Sequence, residues 1–244
     1  MEDRQRRIIV SPSFGAQVAE GLLPGVTAIR KIGHNLAVPS TYETVWCNSS
    51  VYSYLTTADN VDIVSDSVED KVDGTGARSI YINGLDADYN EQNETIVPTG
   101  TVAAVSTKKY IRIFTMKIIL VGSGGINAGN ITLADVTGSK TLAYLEEGEG
   151  RSLAALFTVP ADKVGTITRW TFGEVNAKRS HIAMFVRPYG KSWFIMKVRI
   201  MKNQSSNGAF SIPIVLQAKT DIEIRAKSLG EGGMVAASFA GYYQ

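Results

Sequence analysis

The feature that most constrains this chain is its punctuation. Short runs of β-branched and aromatic residues alternate with clusters of Gly, Asn and Asp, and almost no stretch is long enough for an amphipathic helix. That spacing predicts strands separated by turns, and so antiparallel sheets packed face to face. Val61 to Ser65, Arg78 to Asn83 and Glu94 to Val97 each read as strands. In the second of these, Ile80 and Ile82 share one face and Tyr81 takes the other. Tyr110 to Val121 is the longest candidate, and neither of its faces is cleanly polar, which predicts a central place in a sheet. Ile131 to Leu133 and Thr141 to Leu145 read as a hairpin. Leu153 to Val159, Gly165 to Phe172, His181 to Arg187, Ser192 to Met201, Ala209 to Leu216, Asp221 to Ala226 and Val235 to Ala240 complete roughly a dozen strands. Within Ser192 to Met201, the Phe194, Met196, Val198 and Ile200 face reads as the core face. Pro188-Tyr-Gly-Lys191 reads as a tight hairpin turn. Ala16 to Leu23 can form two helical turns before Pro24, and Ser152 to Leu156 competes between helix and strand.

The expected architecture is all-β: an antiparallel, jelly-roll-like β-sandwich over residues 46–244, preceded by an extended N-terminal arm or linker over residues 1–45. The arm is read from three prolines, Pro12, Pro24 and Pro39, from the cluster Arg4, Arg6 and Arg7, and from the lack of sustained alternation. Such a segment buries little of itself and is expected to dock on a partner.

Composition narrows the function. Hydrophobic residues make up 44% and charged residues 20% of the chain, ordinary globular usage. A near balance of 25 basic and 23 acidic residues gives no footprint for nucleic acid. The longest strongly apolar run, Ile118 to Val121, is far below the roughly 20 residues of a membrane-spanning helix. No secretory signal is visible, so synthesis in the cytoplasm is expected. The single cysteine, Cys47, excludes an intrachain disulfide and reads as a packed thiol.

Candidate chemistry is thin. Gly122-Ser-Gly-Gly follows a strand but lacks the lysine and hydroxyl of a phosphate-binding loop, and Asn127 stands where the dinucleotide fingerprint needs its third glycine. Asp59, Asp62, Asp66, Asp70 and Asp73 are dense, but they lack the order of a calcium loop. A cation there is left open. His181 opens an apolar strand and reads as packed. Glu146, Glu147 and Glu149 read as a solvated hairpin end, since paired carboxylates must face each other across a cleft to cleave a glycoside. No catalytic, cofactor or metal residue is expected. The aromatic C-terminus, with Phe239, Tyr242 and Tyr243, reads as a final strand or a subunit contact.

One set of residues resembles a known family. Gly74-Thr-Gly-Ala-Arg78, then Ile80, Ile82 and Gly84-Leu-Asp86, then Glu94 to Val97 and Gly100-Thr-x-Ala103, resembles a segment of virion structural proteins of tailed bacteriophages of marine and cyanobacterial hosts. Lys31-Ile-Gly-His-Asn35, Glu43 to Trp46, Pro213, Lys219 to Ile222 and Phe239-x-Gly-Tyr242 fit the same picture. The resemblance spans about Lys31 to Tyr242. It implies a particle component in several copies: a head decoration or cement protein, or a neck protein, partnered by other virion proteins and by copies of itself. A closed trimer is the expected oligomer. Arg4, Arg6 and Arg7 then form the docking arm. The alternative is a tail-fibre or tail-tip module that binds a host glycan through Tyr52, Tyr54, Tyr81 and Tyr89 on loops. The local spelling has a structural reading too: Gly74 and Gly76 are expected to allow a positive-φ turn before a strand, and Gly84-Leu-Asp86 a turn after it.

Overall fold

The computed structural model describes residues 12–175, 179–230 and 232–244. Arg4, Arg6 and Arg7 lie outside them. The elements run α1 (Phe14–Ala19), β1 (Thr27–Val38), β2 (Glu43–Thr44), β3 (Asp59–Ser65), β4 (Ala77–Leu85), β5 (Glu91–Ile96), β6 (Ala104–Tyr110), β7 (Arg112–Val121), β8 (Ile131–Asp135), β9 (Thr141–Leu145), β10 (Leu156–Thr158), β11 (Gly165–Val175), β12 (Ser180–Arg187), β13 (Phe194–Met201), β14 (Ser205–Leu216), β15 (Asp221–Ser228) and β16 (Gly233–Tyr243). All strand pairings among the described residues are antiparallel, and the chain is an all-β sandwich fold. No described helix is long and apolar enough to cross a membrane.

Among the described residues four sheets enclose two hydrophobic cores. The sheets β1-β16-β11-β14 and β10-β15-β12-β13, with β2 added on β15, face each other over the first. Ile29, Ile167, Phe172 and Phe239 meet Phe157, Ile182, Met184, Ile222 and Ile224 there. The sheets β6-β3-β8-β9 and β5-β4-β7 enclose the second, where Val61, Ile63, Ile131 and Leu133 meet Ile80, Ile82 and Met116. The chain thus begins one core, leaves it after β2, builds the second core, and returns at β10. Phe114 packs against both cores.

Several expectations are corrected. The segment 1–45 is not simply an arm: residues 27–38 form β1, paired with β16 from Thr27↔Tyr243 to Val38↔Gly233. Charged residues at the exposed positions of β1, such as Arg30, hide its alternation, whereas Ile29 and Val38 are buried. The buried residues of the second core run from Trp46 to Leu145 with Leu156 added, while Val45 and Ala155 belong to the first, so residues 46–244 are divided between two cores. The long run from Tyr110 breaks at Ile111 into β6 and β7. β7 is an edge strand rather than a central one. Part of its free edge is covered instead by a loop, with Ile118 N–H donating to the Gly150 carbonyl at 2.9 Å and Ser152 N–H to the Met116 carbonyl at 2.8 Å.

The glycines near β4 work by close approach rather than by positive φ. Neither Gly74 nor Gly76 has φ in the left-handed region. A Cβ on Gly74 would collide with the Glu69 carbonyl oxygen, and one on Gly84 with the Arg112 carbonyl oxygen. Gly84 and Leu85 are the last residues of β4, and the turn itself follows them at Asp86, where Tyr89 N–H donates to the Asp86 carbonyl at 3.1 Å.

Candidate functional site

On β15 the side chains divide cleanly. Ile222, Ile224 and Ala226 enter the first core, which puts Asp221, Glu223, Arg225 and Lys227 on the opposite face. Water does not reach the first two: Asp221 is 3% exposed and Glu223 0%. The segment between β2 and β3 supplies Tyr52 and Tyr54, and β7 supplies Arg112, all packed near this face. A buried carboxylate must be hydrogen-bonded and paired. Asp221 Oδ1 accepts from Arg112 Nε at 2.9 Å and from Thr158 Oγ1 at 2.6 Å. Its Oδ2 accepts from Arg112 Nη2 at 3.2 Å and from Arg187 Nε and Nη2 at 2.9 and 2.6 Å. Glu223 accepts from the hydroxyls of Thr44 and Tyr54, both at 3.2 Å, and pairs with Arg225. Burial holds its carboxyl above the usual range, against the downward pull of Arg225 and the two hydroxyls.

Cations and rings alternate along this seam. Arg225 lies over Phe185 and Trp193, at 4.7 and 4.8 Å from the ring centroids. Arg187 lies 4.7 Å from both Trp193 and Tyr54. Arg112 follows over Tyr54 and Tyr89 at 4.8 and 5.5 Å, and Lys219 over Tyr89 and Tyr189 at 5.2 and 5.3 Å. The ladder joins groups from both parts of the chain, so it ties one core to the other. Its sequence signal was available: charges at every second position of Asp221 to Lys227, against apolar residues between them.

The ladder ends in an open pocket of about 240 Å³. Arg112, Arg187, Lys191 and Lys219 line it, with Tyr54, Tyr89 and Tyr189 as walls and Asp221 at the back.

A second feature is the side of the first core formed by β13 and β14, each the edge strand of its sheet. The face of β13 read as core is so only at Met196, which is half-buried and packs against the first core: Phe194, Val198 and Ile200 are exposed, as is Ile195 on the other face. Ile200 is 61% and Ile212, on β14, 83% exposed. Unpaired strand edges bearing large apolar side chains are association surfaces.

The other residues singled out from sequence are placed as follows. Phe239 is 1% exposed and belongs to the first core, and Tyr243 is buried with its hydroxyl donating to Glu91 at 2.6 Å. Neither side chain is available as a subunit contact. Tyr242 is half-buried and packs edge-on against Phe14. The acidic run is tied into loops. Asp70 is buried, its Oδ2 accepting from Ser65 Oγ at 2.6 Å and Gly129 N–H at 3.1 Å, its Oδ1 from the N–H groups of Ala77 and Ala128 at 2.6 and 2.9 Å. Asp66 accepts from the backbone and side chain of Asn130, both at 2.8 Å. No cluster able to hold a metal ion occurs among the described residues. The glycine-rich loop is closed on itself, Asn127 donating to the carbonyls of Gly129 and Glu146, both at 2.8 Å. Burial pushes the Cys47 thiol up to about 11, and its Sγ donates to the Tyr144 carbonyl at 3.1 Å. Of the tyrosines expected on loops, Tyr52 and Tyr89 are buried, and Tyr54 and Tyr81 are half-buried.

Lys31 is the remaining unusual group. Its Nζ donates to the Phe114 carbonyl at 2.5 Å and lies 5.2 and 5.7 Å from the Phe114 and Phe157 rings. Burial, and then the charge of Arg151, lower its amine to about 7. Between that value and the ordinary one of an exposed lysine, the unfolded chain binds a proton that the folded chain does not. Stability therefore gains from Lys31 as pH rises through that window, and the cost of the buried ammonium is fully present below it. The expected result is that Lys31→Met raises the urea midpoint at pH 6 but changes it little at pH 9.5. An equal shift at both pH values would show that the amine does not titrate in this way.

No family model matches the chain, and no curated protein matches it. Among solved structures it is similar to a structure of infectious bursal disease virus, Gt strain, at 8% identity over 94% of this chain and 82% of that chain, with a TM-score of 0.17. It is similar also to the VP2 subviral particle of the same virus, at 9% identity over 91% and 77%, with a TM-score of 0.18. Likeness this loose carries no argument about what the chain does.

Proposed function

We propose that this chain is a non-enzymatic structural component of a tailed-phage particle, a head decoration or neck protein that assembles by burying the β13–β14 side against further copies of itself. The observation that carries the reading is that side: two sheet edges bearing Phe194, Ile195, Val198, Ile200, Ile212 and Val215 exposed to solvent. The resemblance of Gly74 to Asp86 and its companions to phage virion proteins supports it. So does the use made of polar side chains, since Asp70, Asp221 and Glu223 are committed to internal hydrogen bonds. Docking on the particle falls to the segment with Arg4, Arg6 and Arg7.

The test is assembly. The intact chain is expected to be oligomeric by light scattering, with a trimer as the closed form, and to bind purified phage particles. Ile200→Asp combined with Ile212→Asp is expected to give a folded monomer, because both side chains already face water. Deleting residues 1–11 is expected to remove particle binding while leaving the oligomer. A deletion through Arg30 would cut into β1, so its effect would not report on docking. A wild-type chain that stays monomeric and ignores particles overturns the reading.

A further inference from the structure

The pocket at the end of the ladder has a charge that nothing among the described residues balances. Arg112, Arg187, Lys191 and Lys219 line it, and Asp221 is its sole carboxylate among the described residues. Both oxygens of Asp221 are already taken by Arg112, Arg187 and Thr158. Arg187 has two of its nitrogens committed to Asp221, while its Nη1 has no protein acceptor among the described residues. The ammonium groups of Lys191 and Lys219 likewise meet no carboxylate among the described residues. Clustered cations with one neutralised acid make a site for an anion.

The backbone points to the same place. Among the described residues five non-glycine residues have φ in the left-handed region, and two of them, Tyr89 at +71° and Lys219 at +62°, meet in this pocket. That conformation is costly for a tyrosine or a lysine, and such strain gathers where side chains must be held for a ligand. It sets the Tyr89 ring against Tyr189 at 5.7 Å and 83°, an aromatic corner with the Lys219 ammonium over both rings. Tyr189 is 62% exposed, so its ring remains free to stack.

We propose that this pocket binds a carboxylate-bearing sugar unit of a surface polysaccharide. The carboxylate meets Arg187, Lys191 and Lys219, and the apolar face of the sugar ring lies on Tyr189. A bare inorganic anion would use the cations and leave the rings idle. A volume of about 240 Å³ is below that of sites for drug-sized ligands, which start near 300 Å³, and suits a single sugar ring. The inference does not depend on the particle reading: a chain that fails to assemble can still bind a sugar acid, and an assembling chain can fail to.

The experiment is calorimetric titration of the full-length chain with glucuronic acid and with N-acetylneuraminic acid, alongside glucose, acetate and inorganic phosphate. At least one sugar acid is expected to bind, more tightly at low salt, with glucose silent and acetate and phosphate at least about tenfold weaker. Lys219→Met keeps the stem and removes the charge, and Tyr189→Ala removes the exposed ring. Each is expected to weaken binding about tenfold; both residues also end the ladder, so a small fall in the denaturation midpoint is expected, with the variants still folded at the titration temperature, which separates lost recognition from lost folding. The proposal is overturned if neither sugar acid binds, if glucose binds as well as they do, or if acetate or phosphate matches them.

Discussion

Asp221→Asn is expected to lower the stability of the chain by about 3–5 kcal/mol, the usual cost of removing one partner from a buried ion pair. The substitution keeps the shape of the side chain and deletes its charge. What remains is two guanidinium groups, Arg112 and Arg187, facing each other across a neutral amide, with Arg112 only 4% exposed. The amide also offers one acceptor oxygen where the carboxylate offered two to five donated hydrogens. For a chain of this size the loss corresponds to a fall in melting temperature of about 10 °C. Arg187→Met is expected to cost less, because that side chain is partly exposed and Arg112 still satisfies Asp221. Thermal melts of the two variants against wild type check the order. A loss below about 1 kcal/mol for Asp221→Asn, the range of exposed pairs, would mean that water reaches the carboxylate and that the ladder does not hold the two cores together.

That network also shows what the sequence could and could not convey. Strand identity was legible wherever alternation was local: Ile80 and Ile82 are buried and Tyr81 is half-buried between them, as their spacing demands. The hairpin of β8 and β9 was legible for the same reason. Position within a sheet was not, because it depends on partners distant in the chain. The β7 strand looked central since both its faces carry apolar residues, yet its free edge meets a loop. On β13 the apolar face that alternation marks as core is mostly exposed, because nothing local distinguishes an apolar face left open to solvent from one covered by a distant segment. β1 was missed because an edge strand tolerates charges that a central strand excludes. The ladder lay furthest from view. Its rungs come from positions as distant as Tyr54 and Arg225, and only the charge alternation of β15 hinted that this strand had an outer face with work to do.

Gly76→Ala is expected to destabilise the chain by about 2–3 kcal/mol, the cost of forcing extra volume into a site that cannot open. The string from Gly74 onward runs where three backbone segments touch. Gly76 N–H donates to the Glu69 carbonyl at 3.0 Å, and Gly122 N–H donates to the Gly76 carbonyl at 2.8 Å. A Cβ on Gly76 would strike Asp70 Oδ1 and come within 2.8 and 2.9 Å of Ala128 Cβ and N. Asp70 cannot swing away, because the same oxygen accepts from Ala77 and Ala128 and its partner from Ser65 and Gly129. One methyl group therefore disturbs all four Asp70 bonds that help knot the loops before β4 and before β8. Gly125→Ala supplies the contrast. Gly125 sits in the left-handed region at +75° with nothing near its absent side chain, so alanine there carries only a conformational cost of about 1 kcal/mol. Urea denaturation of both variants decides the matter. If Gly125→Ala proves the more damaging of the two, these glycines serve the turn conformation. If Gly76→Ala does, their role is to let three strands of backbone approach within hydrogen-bonding distance, which is the reason for the glycines at both ends of β4.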